Sequence, residues 1–205
     1  MRGIFCLTLI LFIACTAFAA STPEQAVRDT QRAINAKDAD RFDQLVDTSR
    51  IVNAATQLLL AEAGKPDSQL PSILAFMLSS AKDSPAFAAL RELIARETHA
   101  FVRYGISSGH FAGKPDDSAY PGGVLLTLLF SDVSMGRKEL RVAGPSAPDG
   151  QDRVFLPVEL KDYGNGNTYP LLLRLQWHAP DWRTVEIVNL SDVWNQIQAE
   201  AAEQH

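Results

Sequence analysis

Cysteine is almost missing from this 205-residue chain: there are two, Cys6 and Cys15, and both fall in the first twenty residues. Past that point no thiol can serve as a nucleophile and no disulfide can brace the fold, so stability has to come from packing. Histidine is sparse as well. His99, His110, His178 and His205 are too far apart for two to share a zinc ion from one helical turn, and no metal or other cofactor is expected. Surplus positive charge is also lacking. With Arg2 set aside in the leader, 18 basic groups face 24 acidic ones, a net charge of −6. Scattered cations on an acidic chain oppose a phosphate backbone, so no nucleic acid is expected as a partner.

Long apolar runs are absent after the start. The opening MRGIFCLTLILFIACTAFAA has one cation, Arg2, an apolar stretch over 4–14 broken only by Thr8, and then small residues. This is shorter than the roughly 20 apolar residues that cross a bilayer, and it reads as a cleavable secretory signal. Ala17 and Ala19 place cleavage after Ala19 or Ala20. The expected location is periplasmic or secreted, with no transmembrane segment in the mature chain. Lipid anchoring through Cys15 is the less favoured alternative, because Phe12 stands where such motifs carry leucine.

What is present is enough for one domain over 21–205, since 46% of the residues are apolar and the length suits a single core. The segment over 21–105 reads as helical. Thr22, Pro23, Glu24, Gln25 form a capping box ahead of a helix over 23–36. Asp38 or Asp40 caps a second, carrying Phe42, Leu45 and Val46. Thr48 or Ser49 caps a third, which aligns Ile51, Val52, Ala55, Leu58 and Leu59 and stops at Gly64. After a connector over 64–68, a fourth helix spans 70–81, and a fifth starts at Ser84 and Pro85 and ends at Gly105. Residues 106–123 read as a loop, and GVLLTLLF over 123–130 as a short buried helix.

The period then changes to two. Val154, Leu156, Val158 and Leu160 alternate with more polar neighbours, as do Tyr169, Leu171, Leu173, Leu175 and Trp177, and Val185 with Ile187. Asn165 and Gly166 predict a tight hairpin between the first two strands. Pro157, which cannot donate to a ladder, predicts that its strand is an edge or carries a bulge. A third strand runs over 182–190, a fourth over 139–143, and Ser191 caps a closing helix over 191–203. Helices first and an antiparallel meander second is an α+β fold, about five helices on a curved sheet of about four strands.

The segments NGNTYPLLLRLQW and VEIVNLSDVW resemble the end of cone-shaped domains related to nuclear transport factor two. AINAKDADRFDQLVD is similar to the opening of exported bacterial families related to that superfamily. The resemblance implies N-terminal helices laid across a curved antiparallel sheet, with room for a pocket between them. It implies no reaction, because the superfamily contains enzymes, binding modules and scaffolds.

Few residues invite chemistry. Gly105, Ile106, Ser107, Ser108, Gly109 fits GxSxG, with His110 next, but a nucleophile elbow joins a strand to a helix, whereas this stretch leaves a helix for a loop. His110 in its glycine-flanked loop is a candidate binding residue. Tyr104, at the end of a long helix, and Trp177, on the sheet, are the residues expected nearest a pocket mouth. Trp177, Trp182 and Trp194 are otherwise expected in the core. Asp116 and Asp117 read as solvated turn residues, His99 as partly buried, His178 as a polar-face strand residue, and Asp162 as the cap of the hairpin turn. No catalytic set converges. The chain reads as an exported, non-enzymatic domain that binds a small molecule or a partner protein in the cell envelope, the alternative being a small pocket-based hydrolase or isomerase.

Overall fold

The first helix forms where the sequence supplies both a cap and a rigid start. The Thr22 side chain accepts a hydrogen bond from the Gln25 N–H at 3.1 Å, and Pro23 takes the first turn, where its missing N–H has no intrahelical partner to lose. The structure, a computed structural model, describes residues 21–63, 86–116 and 135–203. The leader with Cys6 and Cys15, the connector over 64–68, the helices expected over 70–81 and 123–130, Asp117 and His205 lie outside the described residues.

Helix α1 (Pro23–Asn35) turns Ala26, Val27, Ala33 and Ile34 inward. It ends in a Schellman motif: the Asp38 N–H donates to the Ala33 carbonyl and the Lys37 N–H to the Ile34 carbonyl, with Lys37 at φ 61°. A lysine in this left-handed conformation costs roughly 1–2 kcal/mol relative to a right-handed one. Asp38 caps α2 (Ala39–Leu45) by accepting from the Arg41 N–H at 2.8 Å. Helix α3 (Thr48–Ala63) is capped by neither Thr48 nor Ser49. The Asp47 carboxylate accepts from the Arg50 N–H at 3.1 Å, while the Thr48 hydroxyl is turned to Asp43 at 2.9 Å.

Helix α4 (Ala86–Ser107) buries Ile94, Phe101 and Ile106. It passes through Gly105, which the sequence reading made its end. A Cβ on Gly105 would fall inside the Phe111 ring, so this glycine admits a side chain folding back onto the helix instead of stopping it. The chain turns at residues 108–113, with Gly109 at φ 80° and Gly113 at φ 70°. Among the described residues four helices therefore precede the sheet.

Five strands follow: β1 (Lys138–Val142), β2 (Ala147–Pro148), β3 (Arg153–Asp162), β4 (Thr168–His178) and β5 (Asp181–Ile187). They form one antiparallel sheet in the order β1-β3-β4-β5, with β2 also pairing β3. The fold is α+β, as the change of period requires. Alternation holds along its two long strands. Leu156, Val158, Tyr169, Leu171, Leu173 and Leu175 are buried on the helix-facing side and pack with Ala26 and Val27. Leu156 and Leu175 are 0% exposed, each contributing about 2 kcal/mol of apolar burial.

Three expectations about the sheet are corrected. Pro157 is neither on an edge nor in a bulge: β3 is interior, and its Pro157 pairs with Leu172 of β4. The break is in the neighbour. Residues between β1 and β2 detour around Pro157, whose carbonyl still accepts from the Ala143 N–H at 2.9 Å, so the missing donor faces the gap. The hairpin is not the two-residue kind; residues 163–167 connect β3 to β4, Gly166 alone of the Asn165–Gly166 pair has positive φ (82°), and its N–H donates to the Asp162 carbonyl. Asp162 does cap this turn, accepting from the Gly164 N–H at 2.8 Å. The last strand ends at Ile187 because the Asn189 amide ties the chain to the Leu172 N–H and the Pro170 carbonyl. Helix α5 (Leu190–Glu203) then starts one residue before Ser191.

A bulge bends the sheet. Glu186 faces Arg174 and Thr184 faces Leu175, so Val185 is the extra residue, and both Thr184 and Val185 are buried. The free edge of β1 is covered by one side chain: the Gln31 amide accepts from the Leu140 N–H at 2.6 Å and donates to the Lys138 carbonyl at 3.3 Å. The outer edge of β5 is met by α2 and α3, through a parallel bridge of Val46 to Thr184 and a bond from the Asp47 N–H to the Thr184 carbonyl at 2.8 Å.

Leu173→Asp places an unpaired carboxylate on the buried face of β4 and should cost about 4 kcal/mol or more. The expected result is loss of the cooperative thermal transition in circular dichroism, against an unchanged transition for Gln176→Asp on the opposite face.

Candidate functional site

Asp47 fixes the start of α3 against β5, and past that anchor helix and strand leave room between them. The space is a cleft of about 340 Å³ between α3, the end of β5 and the first turn of α5, in the size range of small-molecule sites. Ile51, Ala54 and Leu58 form one wall; Val185, Ile187 and Val188 form the other. Val188 is 38% exposed, among the large apolar side chains left most open to water. Two charged residues border the cleft, Arg50 and Glu186. Glu186 is bonded to Arg174, which also stacks on Phe155 at 5.0 Å. Arg50 reaches Glu186 only at 3.9 Å, and its side chain is 55% exposed.

A polar cluster ties the start of α3 to α2, α4 and the sheet. Asp43 of α2 accepts from Thr48 of α3 and from Arg103 of α4, and lies 3.4 Å from His99. Arg103 also donates to Asp40 at 2.7 Å, and Arg183 of β5 donates to the Asp43 carbonyl at 3.1 Å. Burial pushes the Asp43 carboxyl up, but the bonds from Thr48, Arg103 and His99 outweigh it and hold the group below the ordinary aspartate value. One carboxylate thus joins three helices, and Arg183 ties its residue to the sheet.

A second cluster forms where α4 ends. The Ser108 hydroxyl lies 2.6 Å from the Tyr104 carbonyl and 2.7 Å from His110 Nδ1. A hydroxyl has one proton, and the carbonyl can only accept, so the hydroxyl donates to Tyr104 and Nδ1–H of His110 donates to Ser108. In that tautomer His110 cannot take the serine proton, and Ser108 is 2% exposed. The contact is therefore a turn-stabilising pair and lacks the polarity of a nucleophile with its base. Ser107, the serine at the centre of GxSxG, is exposed in the last turn of α4, and its hydroxyl faces the Tyr104 carbonyl at 3.4 Å. Lys37, at its left-handed position, sits beside this turn, 3.5 Å from the Ser108 carbonyl and 3.8 Å from Asp116.

Of the residues expected near a pocket, Tyr104 and His110 come together, their rings 5.5 Å apart. Trp177 is elsewhere. The Phe111 carbonyl bonds the Lys138 N–H beside Asp162, near the start of β4, whereas Trp177 packs edge-on against Trp182 at its far end, roughly 30 Å along the strand. Trp177, Trp182 and Trp194 are each half-buried rather than fully enclosed. Arg50 and Val188, which border the cleft, were not singled out in the sequence, because only the approach of α3 to β5 gives them a shared neighbour. Among the described residues, no group of three or more His, Cys, Asp and Glu side chains could hold a metal ion, and no helix is long and apolar enough to cross a membrane. Comparison of the chain with family models, curated proteins and solved structures gives no match.

Because the folded carboxyl of Asp43 sits below its unfolded value of about 3.9, its contribution to stability is full above that value and fades as pH falls through the folded one. Asp43→Asn should lower the urea midpoint at pH 7, and the gap from the parent should narrow as pH falls below about 4. A gap independent of pH would remove Asp43 from the acid response.

Proposed function

We propose that this chain is an exported domain of the cell envelope, periplasmic or secreted, that binds a small molecule without transforming it, and that the cleft between α3 and β5 is its binding site. The observation carrying this reading is the cleft itself: a concave space with apolar side chains on both walls and two charged residues at its border, at the junction of the helical layer and the sheet, the combination that small-molecule sites present. Helices laid on a bent antiparallel sheet also support the likeness to cone-shaped domains of the nuclear-transport-factor-two type, which can enclose a pocket between the layers. The polarity of the Ser108 and His110 pair supports binding over hydrolysis. Tyr104 and His110, half-buried side by side at the α4 turn, then serve as part of a separate contact surface, for a partner protein of the envelope.

Two measurements test this. Expressed with its leader in a Gram-negative host, the protein should be recovered from the periplasm with a mature mass starting at Ala20 or Ser21; recovery in the cytoplasm at full mass would overturn export, and a lipid adduct on Cys15 would convert it to membrane anchoring. Assayed on ester, peptide and glycoside substrates, the mature protein should show no turnover above buffer. Turnover abolished by Ser108→Ala or His110→Ala would replace the binding reading with the hydrolase one.

A further inference from the structure

Resting on the cleft reading above, we infer that the ligand is a monomeric single-chain amphiphile with an acidic head, of the carboxylate class, its chain lying between Ile51, Leu58 and Ile187 and its head at Arg50. The walls argue for the chain. Apolar side chains from a helix and a strand line a space of about 340 Å³, and Val188 at the rim stays 38% exposed. An acyl chain laid along Ile51, Leu58 and Ile187 would remove apolar surface from water, with a gain that grows with each methylene buried.

The rim argues for the sign of the head. Glu186 and Arg50 are the charged side chains bordering the cleft, and they are not equally engaged. Glu186 is spoken for by Arg174, bonded directly and held in place by its stacking on Phe155. Arg50 has the longer 3.9 Å approach to the same carboxylate and a side chain 55% exposed. Arg174 is paired with Asp149 at 2.7 Å as well as with Glu186, so the guanidinium that is exposed and only loosely engaged is the one at the cleft, Arg50. A planar guanidinium with open donors pairs with a carboxylate through two parallel bonds. An ammonium head would instead meet Arg50 with like charge. The width also selects a single chain, since the space is at the small end of ligand sites.

The test displaces a neutral apolar fluorophore, N-phenyl-1-naphthylamine, from the mature protein with dodecanoate, dodecanol or dodecylamine, each below its micelle concentration. Dodecanoate should compete about tenfold more strongly than either of the others, a gap of the size expected for one charge-assisted pair. Shortening the acid should weaken it roughly fourfold per methylene. Arg50→Gln should erase the preference for the acid while leaving dodecanol unchanged. Ala54→Phe, on an exposed position of the α3 wall, should remove binding of all three with the thermal midpoint retained; Ser191→Trp does the same work from the α5 side if the first variant fails to fold. Equal competition by acid, alcohol and amine would overturn the acidic head and leave the cleft as a binding site. No competition by any of them, or competition indifferent to both cleft-filling variants, would overturn the cleft reading itself. Association only with sedimented phosphatidylglycerol vesicles, and none with monomeric dodecanoate, would replace a free ligand with a membrane surface.

Discussion

The ladder between β3 and β4 is the constraint on which the other elements depend. Nine residue pairs run from Arg153 and Gln176 to Lys161 and Thr168 without a register break, and because side chains alternate strictly, a slip by one residue would send Leu156, Val158, Leu171 and Leu173 to the solvent side together. Apolar burial on one face therefore fixes the register of the whole sheet. The opposite face is held differently, by Arg174 stacked on Phe155 and bonded to Glu186. The helices take their positions from this surface: α1 sets Ala26 and Val27 on it, and α5 closes it with Val193.

Fixing the sheet does not by itself fix the helices, and polar contacts finish that task. Lys138 and Asp162 pair at 2.6 Å between β1 and β3 with little exposure of either side chain. Burial depresses the Lys138 ammonium and Asp162 opposes that effect, so the pair is held by geometry more than by net energy. On the other side, Asp43 gathers α3 and α4 around α2. The cleft lined by Arg50, Ile51 and Glu186 starts at the same end of α3, two residues past Thr48.

Much of the fold was legible because the relevant signals are local. Thr22, Pro23 and Asp38 act within one helical turn, and the period-two pattern of Leu171, Leu173 and Leu175 needs only the strand that carries it. What was not legible needs a second segment to complete it. Pro157 reads as an edge signal until the detour between β1 and β2 shows that the neighbour absorbs the missing donor. Gly105 reads as a helix stop until Phe111 folds onto it. Val185 looks like an ordinary inward residue, and its bulge exists only relative to Arg174 and Leu175. The candidate site belongs to this second class. Tyr104 and His110 each stand out in the sequence, yet Tyr104 is matched there with Trp177, which lies at the far end of β4, and Arg50, Leu58, Ile187 and Val188 are scattered across about two thirds of the sequence, so only tertiary approach makes them neighbours.

A β-sheet with bare margins invites copies of itself to add on, strand by strand. Here each margin is met by other parts of the chain at one point. The Gln31 amide sits on the Lys138 carbonyl and Leu140 N–H like one residue of a further strand, and the backbone at Val46 and Asp47 occupies Thr184 on the other side. Where β1 gives way to β2, the template is interrupted around Pro157 as well. A chain with no disulfide beyond residue 20 to hold its margins shut, and obliged to fold among many other polypeptides, thereby carries its own guard against fibril-like growth, made from one glutamine and one turn of backbone.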